Sequence, residues 1–486
     1  MNTQLEALAP SGIWRNFKSL TQIPRPSKKE ARIIDYVKNF GERLGLETQV
    51  DSVGNIIIRK PATPGMENRK GVIFQSHLDM VPQKNSDKKH DFETDPIEAY
   101  IDDEWVKANG TTLGADNGIG VAAMLSVLES KELKHGPIEC LFTIDEETGM
   151  TGAFALQAGI LKGDILLNLD SEDEGELFIG CAGGMDGNIA FDYITGSIPA
   201  DHVAYQLKIS GLKGGHSGLD INLGRGNSNL ILFRLLRKAE KEVGLRLCEF
   251  EGGNMRNAIP REAHATVMIP AAKINEFTTL LNNYKQTISK ELATVEPDFR
   301  IDLNETSAPV RVMEAGLQKR VIASVYACPN GVIRMTDGIP GLVETSTNLS
   351  IVKSAGEKIT VSCLLRSSVD TAKQNVADVM QALFELAGAR VTFAGSYPGW
   401  KPNMNSAIMK VMDTVYQKMY NKEMEIKAVH AGLECGIIGG VYPNLDMVSF
   451  GPTIRHPHSP DEKVHIESVG KFWEFLTKTL ENIPVK

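Results

Sequence analysis

A chain of 486 residues with 42% hydrophobic side chains is long enough for two or three domains, each burying a core of its own. Its formal charge of -9 leaves no basic surplus for a phosphate backbone or an anionic bilayer, which argues against nucleic acid and membrane as partners. The six cysteines (Cys140, Cys181, Cys248, Cys328, Cys363 and Cys435) are scattered without a CxxC pair, and neither a leader-like N-terminus nor a long apolar run is present. Reduced thiols in an unprocessed cytoplasmic protein are expected.

In chain order, Ser27 precedes the amphipathic run KKEARIIDYVKNFGERLG, which predicts a helix, and NIIIRK has the β-branched content of a strand. The segments GVIFQSHLDMV, ECLFTIDEE and DILLNLDSE then repeat one theme, a short apolar strand running directly into acidic residues or histidine. Helix-like runs such as GIGVAAMLSVLESKEL lie between them. This alternation predicts an α/β domain with a largely parallel sheet, helices on both faces, and chemistry at the C-terminal edge of the strands.

Between Gly187 and about Gly395 the pattern changes to polar, alternating strands and long helices. One stretch has the strand AYQLKISGLK, a helix from Asn227 to Glu242, strands around LRLCEFEGG and HATVMIP, and a helix from Ala272. The next has a helix from Val312, strands around GVIRMTDG, NLSIVKSAG and KITVSCLLRSS, a helix from Thr371 and the strand RVTFAG. An inserted α+β lid with an internal duplication fits both, giving expected boundaries of 1–186, 187–396 and 397–486. The last block returns to the first domain with the helices NSAIMKVMDTVYQKMYN and SVGKFWEFLTKTLENI.

The strand ends carry the chemistry. Zinc takes nitrogen and oxygen ligands at about 2.0–2.2 Å, and a hydrolytic pair needs a carboxylate shared between the ions. His77 and Asp79 in SHLDM are two apart, so Asp79 is near enough to orient the imidazole. Asp116 sits in the glycine-rich TTLGADNGIG, Glu146 and Glu147 are adjacent after LFTID, and Asp170 ends ILLNLD. Taken singly, an HxD is in general a hydrogen-bond pair, DEE a solvated loop and GADNG a turn. Their order at successive strand ends is what singles them out.

Together with FGPTIRHPHSPDEKVHI far downstream, SHLDMVP, TLGADNGIG, DEETGMTGA and LLNLDSE resemble the signature of the aminoacylase, carboxypeptidase and carnosinase superfamily of two-zinc peptidases. The resemblance spans essentially the whole chain and is strongest to the branch that cleaves dipeptides. It implies a catalytic α/β domain with two Zn2+ per subunit, for which Co2+ or Mn2+ can substitute. Asp116 would bridge the ions, His77 and Asp170 would hold one, and Glu147 and His458 the other. Glu146 would be the general base toward a metal-bridging water, and Asp79 would fix His77. His456 is the rival to His458; the family has one ligand just before its SPDE-like stretch, which selects His458.

For the lid, the resemblance implies His216 in GLKGGHSG as a stabiliser of the oxyanion, reached by domain closure or from a partner subunit. It also puts Asn257, Arg366, Gly432 and Glu434 at the substrate, with Arg366 forking onto a free carboxylate. The implied substrates are small unblocked dipeptides, including Xaa-His such as β-Ala-His, and a homodimer is compatible with the branch. An N-acyl amino-acid deacylase or carboxypeptidase would use the same metal site, and a catalytically silent binding protein would lack the base or a ligand.

Overall fold

The computed structural model describes residues 2–486. The chain forms two compact units. One runs up to Gly180 and resumes in Trp400–Ala428 and Leu433–Lys486; the other comprises Cys181–Gly399 and Val429–Gly432.

In the first unit an eight-stranded sheet has the order Glu47–Val50, Ile56–Lys60, Ile138–Thr143, Val72–His77, Ile165–Asn168, Asp446–Ser449, Glu176–Cys181, Glu425–Val429. The parallel portion is the centre, where Ile138–Thr143, Val72–His77, Ile165–Asn168 and Asp446–Ser449 pair in turn. Val72–His77, Ile138–Thr143 and Ile165–Asn168 are buried at every position, as strands covered on both faces must be. Glu47–Val50 and Ile56–Lys60 pair antiparallel because the short turn between them leaves no room for a crossover.

The helix Ala115–Glu129 is buried along almost its whole length and packs on the strand Val72–His77 and the helix Ser11–Thr21. The helix expected after Ser27 starts at Ala31. The Ser27 hydroxyl donates to Asp79 Oδ2 at 2.8 Å, so it is committed to the sheet edge and caps nothing.

The second unit is built on an antiparallel sheet in the order Arg300–Glu305, His202–Ser210, Ala263–Pro270, Arg246–Gly252, Val343–Ala355, Lys358–Ser367, Gly183–Asp192, Arg390–Tyr397, with Gly331–Met335 paired beside Val343–Ala355. Its two halves have the same connectivity and meet where Glu251 and Gly252 pair with Lys353 and Val352. The duplication is nested. The half that ends in Arg390–Tyr397 begins with Gly183–Asp192, and the other half is inserted between that strand and the helix Ala315–Ala327. That helix starts later than Val312 because Val312 and Met313 pair with Gly196 and Thr195, leaving the Glu314 carboxylate to accept from Gly316 N and Leu317 N at 2.8 and 2.7 Å.

Asn227 ties the two halves. Its side-chain oxygen caps the helix Ser228–Val243 by accepting from Asn229 N and Leu230 N at 3.0 and 3.2 Å, while its amide donates to Leu349 O at 3.0 Å and Asn330 Oδ1 at 3.1 Å. Asn227→Ala removes a cap and leaves a buried carbonyl short of a donor, for an expected loss of about 1–2 kcal/mol. Thermal or urea denaturation of the variant should show a lower midpoint. An unchanged midpoint would mean that the junction does not depend on Asn227.

Candidate active site

All of the expected metal ligands lie in the first unit. His77 ends a central parallel strand and is 1% exposed. Asp116 stands in the first turn of the helix Ala115–Glu129, where its own backbone and that of Asn117 are not yet helical, so its carboxylate is turned off the helix axis. Gly114, just before, has φ +72°, and a Cβ there would lie 2.6 Å from the Arg25 guanidinium. The sequence DNG therefore needs GA ahead of it for a steric reason. Asp145, at φ +51°, turns the chain out of the strand Ile138–Thr143 and sets Glu146 and Glu147 on a short helical turn.

The side chains converge in two triads that share Asp116. His77 Nε2 lies 3.1 Å from Asp116 Oδ1 and 3.3 Å from Asp170 Oδ1. On the other side, His458 Nε2 lies 3.2 Å from Asp116 Oδ2 and 3.0 Å from Glu147 Oε2. His77, Asp116 and Asp170 offer ligand atoms all within 4.8 Å of one another, as do Asp116, Glu147 and His458. A third such group joins His77 with Glu146 and Glu147. His456 is exposed and belongs to no such group among the described residues.

Asp79 works behind this cluster. Its Oδ1 lies 3.3 Å from His77 Nδ1 and accepts from Glu146 N at 3.0 Å, and its Oδ2 accepts from Glu147 N at 3.3 Å. One buried carboxylate thus aligns the histidine and the pair of glutamates together. Burial works to raise the Asp79 carboxyl, but contact with His77 outweighs it and takes the group to about 2.

The crowding shows in the proton affinities. Burial opposes a proton on His77, yet the charge of Asp170 and the contacts to Asp116, Asp170 and Asp79 raise the imidazole well above its usual range. Hydrogen bonds to Asp116 and Glu147 push His458 up to about 11. Burial pushes Asp170 up to about 6 and lifts Glu146 well above the carboxylate range.

In the second unit, Gly215–His216 is a two-residue strand paired with Ala258–Ile259, and Asn257 is exposed beside it. His216 Nδ1 accepts from Gly218 N at 3.2 Å and Leu219 N at 3.1 Å, which leaves the ring proton on Nε2. Burial and the charge of Arg366 lower its pKa and keep the ring neutral. Arg366 is 6% exposed. It faces His216 Nε2 and the Tyr397 hydroxyl at 3.5 Å and Ser217 Oγ at 3.4 Å, and forms no ion pair among the described residues. Gly432 lies against Tyr397, where a Cβ would come within 3.0 Å of the phenol oxygen.

Glu434 is in the first unit and is fully buried. Its Oε2 accepts from Gln75 Nε2 at 2.6 Å and Thr143 Oγ1 at 2.7 Å. Gln75 in turn accepts from Asn168 at 2.5 Å. Burial pushes the Glu434 carboxyl up to about 8. Expected at the substrate, Glu434 is found inside a polar network that joins the ends of three central strands.

Two further residues escape a reading for ligands. Glu462 accepts from four consecutive backbone N–H groups, those of Leu113, Gly114, Ala115 and Asp116, at 2.7–3.2 Å. Arg25 donates to the carbonyls of Leu78, Asp79 and Gly114 and so bolts the His77 strand end to the Asp116 turn. The signals were present as the acid of SPDEK and the arginine of PRP, but only long-range pairing reveals their use. Glu462→Gln turns an N–H donor onto this crown of N–H groups. Metal affinity measured by competition with a chelator should fall about 10- to 100-fold. Unchanged affinity would show that the Asp116 turn holds itself.

Comparison with known proteins agrees with this arrangement. Residues 73–482 match Peptidase family M20/M25/M40. Over 484 residues, covering 100% of both proteins, the chain is 47% identical to the Cytosol non-specific dipeptidase of Escherichia coli strain K12. It superposes on the crystal structure of Aminoacylhistidine Dipeptidase from Vibrio alginolyticus with a TM-score of 0.95 at 51% identity, covering 100% of this chain and 99% of that one. Aminopeptidase PepT from Bacillus cereus shares the fold at a TM-score of 0.58 and 17% identity, over 98% and 99% of the two chains. With the family's match extending from the strand of His77 past His458, the chain belongs to Peptidase family M20/M25/M40, the metal-dependent hydrolases of peptide bonds.

Proposed function

We propose that the chain is a cytoplasmic dipeptidase that works with two divalent cations, zinc by preference, and cleaves unblocked dipeptides including Xaa-His. The observation that carries the reading is Asp116, whose two carboxylate oxygens each face a separate histidine-containing triad. The donor set fits the ions. It is all imidazole nitrogen and carboxylate oxygen, and Glu147 Oε1 is buried without a hydrogen-bond partner. The names of the relatives from Escherichia coli and Vibrio alginolyticus support the dipeptide substrate, and six buried, scattered cysteines suit a reducing compartment.

His77, Asp116 and Asp170 would hold one ion and Asp116, Glu147 and His458 the other. Bound there, the ions supply a water of lowered pKa and a polarised scissile carbonyl. Glu146 takes the proton from the attacking water and returns it to the leaving amine, a role suited by a buried carboxyl whose proton affinity is raised. His216 presents its Nε2–H to the oxyanion, since Nδ1 is occupied by two backbone N–H groups. Arg366, charged and without an acid partner, takes the substrate's terminal carboxylate. Glu434 serves from beneath, holding Gln75 two residues before His77.

A deacylase or carboxypeptidase would use the same ions, so substrates decide. The metal-loaded protein should hydrolyse β-Ala-His and ordinary dipeptides and leave a tripeptide and an N-acetyl amino acid nearly untouched; fast cleavage of the acetylated compound would overturn the dipeptidase reading. Glu146→Gln should keep both metals and lose turnover by about 10²- to 10⁴-fold. Metal analysis beside the assay makes the test specific, because more than about a tenth of the activity at full occupancy is incompatible with a general base.

A further inference from the structure

Arg366 does not stand alone, and what surrounds it is chemically selective. Its strand, Lys358–Ser367, pairs with Val343–Ala355 so that Arg366 sits opposite Ser346, whose hydroxyl is 2.7 Å from His430 Nε2. Every side-chain neighbour within hydrogen-bond range is a neutral polar group at the far limit of that range: Ser217 Oγ, the Tyr397 hydroxyl and His216 Nε2, at 3.4–3.5 Å. His430 is neutral too, because burial and the charge of Arg366 take it down to about 3. A buried guanidinium ringed by groups that approach it without closing on it is a receptor for an anion from outside the chain.

Among those neighbours Tyr397 is fixed by its backbone and by close packing. Its backbone carbonyl accepts from the Lys373 ammonium, itself 2% exposed and paired with Asp370 at 3.0 Å. Two glycines make room for its ring: a Cβ on Gly184 would come within 2.6 Å of it, and one on Gly432 within 3.0 Å of its oxygen. The phenol is therefore fixed in position while its 3.5 Å contact to Arg366 Nη1 leaves the hydroxyl proton uncommitted.

We infer that Tyr397 is a specificity-determining residue, donating its hydroxyl proton to the same terminal carboxylate that Arg366 binds and so distinguishing a free acid from a blocked C-terminus. The inference rests on the reading of Arg366 as the carboxylate holder. Arginine contributes charge, which a neutral amide forgoes only in part, since its carbonyl still accepts from the guanidinium. Toward an amide's N–H the phenol can only turn its oxygen to accept, so the charge-assisted donation that it makes to a carboxylate oxygen is lost. The carboxylate is charged before and during reaction, so this contact contributes mainly to uniform binding.

The experiment measures kcat and KM for one dipeptide and for its C-terminal amide, on metal-loaded wild type, Tyr397→Phe, Gly432→Ala and Arg366→Ala. Tyr397→Phe keeps the ring and removes the donor. KM for the free acid should rise roughly 10-fold with a smaller fall in kcat, while the amide's constants stay near wild type, so that the preference for the acid narrows by about the same factor. Gly432→Ala, which displaces the ring by steric contact, should move the preference in the same direction and covers the case in which the phenylalanine variant fails to fold. If Arg366→Ala abolishes the preference and both other variants retain it in full, Tyr397 does not read the carboxylate and the inference fails alone. If Arg366→Ala keeps the preference, the reading of Arg366 fails and takes the inference with it. Equal losses for acid and amide in Tyr397→Phe would mark the residue as structural and also overturn the proposal.

Discussion

The first unit is organised around a repulsion. Asp116, Glu146, Glu147 and Asp170 surround two imidazoles, and Asp79 lies directly behind. Carboxylates gathered out of water do not stay ionised together unless positive charge sits among them. Both histidines are drawn toward holding protons by the acids they touch. Histidine must be neutral to ligate, so divalent cations would replace those protons and add the charge that the cluster lacks.

A crowd of this kind has to be imposed by its frame, and the frame is largely backbone. Asp79 and Asp170 hang from loops that directly follow parallel strands, Glu146 and Glu147 from a short helical turn after another, and no ladder remains to hold them. At Asp79 and at the Asp116 turn, Arg25 and Glu462 supply backbone contacts that no ladder gives. The first collects carbonyls from two loops and the second collects N–H groups from one. Burial lowers the proton affinity of Arg25 and pushes Glu462 up to about 7, so each is costly to keep charged. Neither is matched by a simple ion pair; each is spent on orienting peptide groups around Asp116.

How much of this could be read from the sequence follows from the range of the interactions involved. The central strands were legible because a strand covered on both faces must be apolar throughout, and the acids at their ends broke that rule in four places. His458 was chosen over His456 by resemblance, since two histidines separated by one proline in one loop look alike until the fold turns one of them to Asp116. The lid's duplication was legible as a repeated order of strands and helices. Its nesting was not, because nothing local in Gly183–Asp192 says that it pairs with Lys358–Ser367, a strand far along the chain. The polar network of Glu434 was not legible for the same reason: its glycine-flanked setting looks like a substrate loop, while its hydrogen bonds to Gln75 and Thr143 exist only once the sheet has formed.

The two units treat charge in opposite ways, as the proposed function would require. Around Asp116 the chain concentrates acids and leaves a deficit of positive charge that bound cations would make up. Around Arg366 no acid pairs with the guanidinium among the described residues: serine, tyrosine and histidine are its neighbours, and Ser346 and His430 bond to each other beside it. An aspartate in place of Ser217 would have made a better-satisfied fold, with a buried ion pair where there is now an open guanidinium. It would also have closed the site, because an arginine already neutralised by its own chain has nothing left to offer a carboxylate. On the proposed function, the stability forgone at Arg366 would be the physical condition for binding an anionic end group there, as the excess of carboxylate around Asp116 would be the condition for holding metal.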